Sequence, residues 1–194
     1  MVDMHNHILF EVDDGPKTIE GSMELIKEAV SKGVTHIILT PHLIKSNRNL
    51  KPHKALGNFQ ILKEAVDKES INVQLYLGNE VYIDPLEYKS IFIEDKFYTL
   101  AGSKYILIEF NVKNPPSSIG EICYEVTMHG YIPIISHVER YEILHNNREM
   151  LKDILKTGAL LQVNASNILN KETKEKNEYA HYSLKNELVN FVAS

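Results

Sequence analysis

The chain has 194 residues, 43% of them hydrophobic, with 21 Lys and Arg against 26 Asp and Glu, a formal charge of −5. That is enough for one domain, 1–194, with a sizeable core, and the acidic balance weighs against nucleic acid as the main partner. A single cysteine, Cys123, excludes an intrachain disulfide framework and a thiolate metal cluster. No apolar run approaches the roughly 18–20 residues of a membrane span, and Met-Val-Asp-Met-His at the start lacks a signal-peptide pattern, so a cytoplasmic protein is expected.

Short apolar runs alternate with helical patterns along the whole chain, without a linker, a low-complexity stretch or a fixed-period repeat. Strands are predicted at Val2–Met4, Val34–Thr40, Val73–Gly78, Tyr105–Phe110, Ile132–Ser136, Leu160–Asn164 and Leu188–Ala193, seven in all. After the first strand, Met23, Ile26, Ala29 and Val30 share one helical face, and Gly33 stands where a glycine stops a helix. Leu56, Phe59, Leu62, Ala65 and Val66 make a second apolar face. Ser118 followed by Glu121 predicts a capping box, and Ile119, Ile122, Cys123 and Val126 form a buried row that includes the thiol. Asn147 is placed to cap the next helix, whose Leu151, Ile154 and Leu155 point inward. Strands alternating with helices predict an α/β fold with a mostly parallel sheet, and seven such units predict a barrel, open or closed.

The polar residues fall at the ends of those strands. His5 and His7 follow the first and His42 the second; the third runs into Glu80; the fourth carries Glu109; the fifth ends at His137 with Glu139 and Arg140 beyond; the sixth ends at Asn164. In parallel β/α barrels functional groups gather at the C-terminal strand ends, where the loops converge. His5-Asn6-His7 places two imidazoles on one side of an extended segment. Imidazole and carboxylate without thiolate suit Mn, Fe or Zn at a catalytic site, and six such groups exceed what one ion needs, so a multinuclear hydrolase is predicted. Each group also has an ordinary alternative: His-x-His alone is a weak signal, His42 fits a loop, and Glu80 and Glu109 fit rim carboxylates paired with lysine. The coincidence of all six is what favours the metal. His36, His53, His129, His145 and His181 lie in ordinary surroundings and are not expected to be ligands.

Asp3-Met4-His5-Asn6-His7, Val12-Asp13-Asp14-Gly15-Pro16, Thr40-Pro41-His42, Gly78-Asn79-Glu80, Leu107-Ile108-Glu109-Phe110 and Ile135-Ser136-His137-Val138-Glu139-Arg140 together resemble, in order along the chain, the PHP-superfamily protein-tyrosine phosphatases of bacterial capsule and exopolysaccharide operons. The resemblance implies a distorted seven-stranded (β/α)7 barrel with three metal ions, commonly manganese, with Fe, Mg or Zn as alternatives. It implies His5, His7, His42, Glu80, Glu109 and His137 as ligands. Asp14 matches a position that ligates or supports a third ion, or is simply a turn aspartate before Gly15-Pro16. Arg140 resembles the family's phosphate-binding arginine, a salt bridge to a nearby Glu being the alternative. The implied substrate is the phosphotyrosine-containing tail of a bacterial tyrosine kinase, hydrolysed without a phosphocysteine intermediate. Lys45, Arg48, Lys51 and Lys54 form a basic segment that suits an acidic phosphopeptide, or a solvated loop. Such phosphatases continue after the last strand with Ser-Asp-x-His, whereas this sequence stops at Val192-Ala193-Ser194, so a C-terminally truncated domain is expected. Three rival readings stay open: a small-molecule phosphoesterase of the histidinol-phosphate type, a metal-dependent nuclease, and an inactive metal-binding fragment. The oligomeric state is left open.

Overall fold

In a computed structural model the described residues are 1–44, 52–94 and 97–194. They fall into two compact units, residues 1–81 with 96–103 and residues 82–95 with 104–194. The first contains β1 (Val2–Asp3), α1 (Ile19–Ser31), β2 (His36–Leu39), β3 (His42–Leu43), α2 (Pro52–Lys68), β4 (Gln74–Leu77) and the start of β5 (Glu80–Tyr82). The second contains α3 (Tyr88–Glu94), β6 (Tyr105–Glu109), α4 (Ile119–Met128), β7 (Ile132–Ile135), α5 (Glu142–Asn146), α6 (Arg148–Lys156), β8 (Leu160–Asn164), α7 (Ala165–Ile168), α8 (Lys174–Lys185) and β9 (Phe191–Ala193).

In the first unit β2 lies between β1 and β4, both parallel to it, with Asp3 opposite Ile37 and Ile37 opposite Leu75. Ile37 and Leu39 alternate with partly exposed neighbours and point into a core that also holds Leu9, Met23, Ile26, Leu62 and Val66. α1 begins where the Thr18 hydroxyl accepts from Gly21 N and ends before Gly33, whose φ of +88° is a conformation glycine adopts without penalty. On α2, Leu62 and Val66 are buried as the apolar face requires, but Leu56 lies at the edge of that stripe and is exposed.

In the second unit β6, β7, β8 and β9 form a parallel ladder, with Ile108 opposite Ile135, Ile135 opposite Leu161, and Val163 opposite Val192. Ile106, Leu107 and Ile108 are consecutive and all buried, the pattern of a parallel strand covered on both faces. Ile119, Ile122, Cys123 and Val126 are buried along α4, and burial pushes the Cys123 thiol up to about 12. Asn147 caps α6 by accepting from Met150 N at 3.0 Å. Ser118 precedes α4 but makes no side-chain cap bond, because its backbone (φ −87°, ψ 17°) is not extended.

Parallel strands joined through helices match the expected α/β class. Among the described residues there are nine strands instead of seven, the additional ones being β3 and β5. The last strand is shorter than predicted, beginning at Phe191 and not Leu188. Among the described residues no helix is long and apolar enough to cross a membrane.

Candidate metal centre

In the first unit the segment after β1 is tied to β2 through the asparagine between its two histidines. Asn6 N donates to Thr40 Oγ1 (3.0 Å), Thr40 Oγ1 donates to Asn6 O (3.0 Å), and Asn6 Nδ2 donates to Ile38 O (3.1 Å). With Asn6 pinned inward, His5 and His7 take up the flanking positions. Asn79 does the same after β4: its Nδ2 donates to Pro41 O (3.1 Å), and its Oδ1 accepts from Tyr98 N (2.8 Å). β3 then pairs with β5 so that His42 stands directly opposite Glu80.

The result is a convergence on one atom. Glu80 is fully buried, and its Oε2 lies 3.2 Å from His5 Nε2, 3.3 Å from His7 Nε2 and 3.2 Å from His42 Nδ1. The His7 and His42 ring centroids are 4.4 Å apart. Asp14 stands at the margin, its side chain 75% exposed, with Oδ1 3.7 Å from His7 Nδ1 and 4.0 Å from His42 Nε2. Donor atoms of His5, His7 and Glu80 all lie within 4.8 Å of one another, as do those of His7, Asp14 and His42. Imidazole nitrogens and carboxylate oxygens without a thiolate are the donors that Mn, Fe or Zn takes, so these residues fit a divalent ion. The electrostatics agree. Burial pulls the His7 imidazole down, but hydrogen bonds and charge from Asp13 and Glu80 outweigh it and push it up to about 10, so the pocket favours a positive charge at its centre.

Asp13 is the member of this group that sequence reasoning passed over. Its side chain is 2% exposed; Oδ2 accepts from His7 Nδ1 (2.8 Å) and His42 N (3.0 Å), and Oδ1 accepts from Gly15 N (3.0 Å). Despite the cost of burial, these bonds hold its carboxyl below the usual aspartate range. The signal available was the Asp-Asp-Gly-Pro run itself, which reads as a turn.

In the second unit Glu109 and His137 come together, His137 Nε2 lying 3.3 Å from Glu109 Oε1 and 3.2 Å from Ser136 Oγ. His137 has a left-handed backbone (φ 34°, ψ 53°), unusual for a residue other than glycine and costing on the order of 1–3 kcal/mol. It is held there by its N–H, which donates to Gln162 Oε1 (2.9 Å), and by its carbonyl, which accepts from Arg140 N (2.8 Å). This turn carries the chain into Val138–Arg140. Glu139 points into the interior; one carboxylate oxygen accepts from Asn167 Nδ2 (2.6 Å) and Asn164 N (3.2 Å), and burial pushes its carboxyl up. Arg140 is half-buried, and its guanidinium makes no ion pair or hydrogen bond among the described residues.

The remaining histidines are engaged elsewhere. His36 stacks on Tyr76, His129 on Phe92 and His145 on Tyr179, and His181 pairs with Asn170. The His53 side chain lies outside the described residues, as do Lys45, Arg48 and Lys51 of the basic segment; Lys54 Nζ is 3.2 Å from Glu11 Oε2.

The sequence matches the family described as "Capsular polysaccharide synthesis, CpsB/CapC" over residues 1–194. The tyrosine-protein phosphatase CpsB of Streptococcus agalactiae serotype V is 36% identical, the alignment covering 100% of this chain and 82% of that protein. CpsB of Streptococcus pneumoniae, also a tyrosine-protein phosphatase, is 32% identical over the same shares. A crystal structure from the pair YwqE of Bacillus subtilis and CpsB of S. pneumoniae, which are metal-dependent tyrosine phosphatases, superposes with a TM-score of 0.91 at 29% identity, covering 100% of this chain and 78% of that one. Histidinol phosphate phosphatase from Lactococcus lactis shares the fold at a TM-score of 0.57 and 15% identity. The chain belongs to the CpsB/CapC family of capsular polysaccharide synthesis proteins.

Proposed function

We propose that this chain is a cytoplasmic, metal-dependent protein-tyrosine phosphatase, with manganese as its ion and a bacterial tyrosine kinase of capsule or exopolysaccharide synthesis as the source of its phosphotyrosine. The observation that carries the reading is the meeting of three imidazole nitrogens, from His5, His7 and His42, at one buried oxygen of Glu80. The tyrosine-phosphatase relatives, alignable over the whole chain, support the substrate class.

In this reading His5, His7, His42, Glu80 and Asp14 hold metal in the first unit, and Glu109 and His137 supply the corresponding donors in the second. A divalent ion so held lowers the pKa of water toward neutrality and withdraws charge from phosphoryl oxygens. Arg140, with no ion pair among the described residues, presents a planar fork of donors suited to two phosphoryl oxygens at once. The departing tyrosine is a phenolate with a pKa of about 10, which asks for less proton donation than an alkoxide.

The test is turnover of a phosphotyrosyl peptide before and after exhaustive chelation. EDTA abolishes turnover and added manganese restores it; full activity in fully metal-free protein overturns the reading. Comparison with histidinol phosphate addresses the substrate class, the peptide being the preferred substrate.

A further inference from the structure

We infer that Asp13 is a positioning residue for the metal centre: its carboxylate fixes the His7 ring in the tautomer that directs Nε2 to the ion, and fixes the main chain at His42. The inference rests on the metal-dependent reading of the site given above.

The two nitrogens of His7 have different neighbours. Nδ1 is 2.8 Å from Asp13 Oδ2, and Nε2 is 3.3 Å from Glu80 Oε2, within the donor cluster. An ionised carboxylate only accepts, so the bond to Asp13 requires the proton on Nδ1, and in a neutral ring the lone pair is then on Nε2. The same Oδ2 accepts from His42 N, so a single atom ties the loop after β1 to the segment that carries the third imidazole. The loop is built to bring Asp13 there. Gly15 N donates to Asp13 Oδ1, and Gly15 passes so close to His7 that a Cβ would stand 2.1 Å from the His7 carbonyl oxygen. Glu11 N donates to Pro16 O at 2.8 Å, closing the loop behind it. Three N–H donors converge on a side chain 2% exposed, whereas Asp14, the next residue, is 75% exposed and faces the imidazoles from outside. The two aspartates therefore divide the work: Asp13 orients, and Asp14 offers a ligand oxygen. A carboxylate behind a metal-binding imidazole sets ring orientation and raises its basicity, and removing such a partner typically lowers metal affinity about 10–100-fold.

Asp13→Asn is the informative variant. Its amide carries no charge and must turn an NH2 toward either His7 and His42 N or Gly15 N. In one orientation the His7 proton moves to Nε2, and in the other the ring loses its charged partner and the loop its Gly15 bond. Manganese titrated calorimetrically into wild-type and variant chains should show a loss of about 10–100-fold in affinity. Circular dichroism of the metal-free forms should match, and saturating manganese should restore most of the turnover. In parallel, long-range 15N–1H spectra of the zinc-loaded wild type should show His7 protonated at Nδ1 and metallated at Nε2, a readout that does not depend on whether the variant folds. Unchanged affinity in a folded Asp13→Asn chain, or zinc on His7 Nδ1, overturns the assignment of Asp13 while leaving the metal-dependent reading in place. A wild-type chain that binds no manganese overturns both.

Discussion

Glu80 and Arg140 show how differently two charged side chains are placed. Glu80 is enclosed, with three imidazole nitrogens within 3.3 Å of one oxygen, so its charge is answered by whatever those rings carry or hold. Arg140 is half-buried beyond the His137 turn, without an ion pair among the described residues. If its guanidinium meets the substrate and not the metal, Arg140→Ala should retain the wild-type metal content while kcat/KM falls by about 10²–10³, the usual cost of removing one preorganised donor. Arg140→Lys should recover only part of this, since an ammonium cannot make the two parallel bonds of the planar fork. Metal analysis by mass spectrometry beside peptide kinetics separates the outcomes, and loss of metal from Arg140→Ala would count against the phosphate-binding role. The types of residue at the centre were legible in the sequence because histidines and glutamates punctuated the strand ends. Asp13 was not, because a buried orienting aspartate and a turn aspartate look identical until the partners of their oxygens are known.

At the scale of elements, the helix boundaries separate local signals that suffice from those that do not. Asn147 accepts from Met150 N, so Asn147→Ala should destabilise the protein by about 1 kcal/mol in denaturant unfolding. Ser118 makes no such bond, and Ser118→Ala should stay within about 0.5 kcal/mol of wild type. A cap depends on the backbone angles of the capping residue as well as its hydroxyl, and those angles are not read from residue type alone. The long apolar runs were legible for the opposite reason: Ile106 to Ile108 are buried whichever face they turn. β3 and β5 were invisible because two or three residues are too few to show a period, and because their leading residues are candidate ligands themselves. Their pairing matters all the same, since it sets His42 abreast of Glu80.

For the molecule as a whole, the pocket around His7 links folding to protons and to metal. The metal-free His7 holds its proton up to about 10, above the ordinary value of 6.5 that applies once the chain unfolds. Its contribution to stability is therefore complete below about pH 6.5 and is lost as pH rises toward 10. Thermal melting of the metal-free chain should accordingly fall across that window, and saturating manganese should flatten the decline, because an ion that binds only the folded state supplies the positive charge in place of the proton. A metal-free chain whose melting temperature rises from pH 6.5 to 10 would contradict this. The α/β alternation was legible over the full length because it is a property of every apolar run, whereas the hydrogen bonds of Asn6, Asn79 and Gln162 depend on which backbone atoms meet them and leave no trace in composition. The enclosed position of Cys123, with its thiol held up at about 12, carries a consequence for cellular conditions. Peroxide and disulfide stress act on exposed thiolates, and this chain offers none. Oxidants that silence thiolate-based phosphatases would leave Cys123 untouched, so the reaction answers to the supply of its metal and is insulated from thiol oxidation.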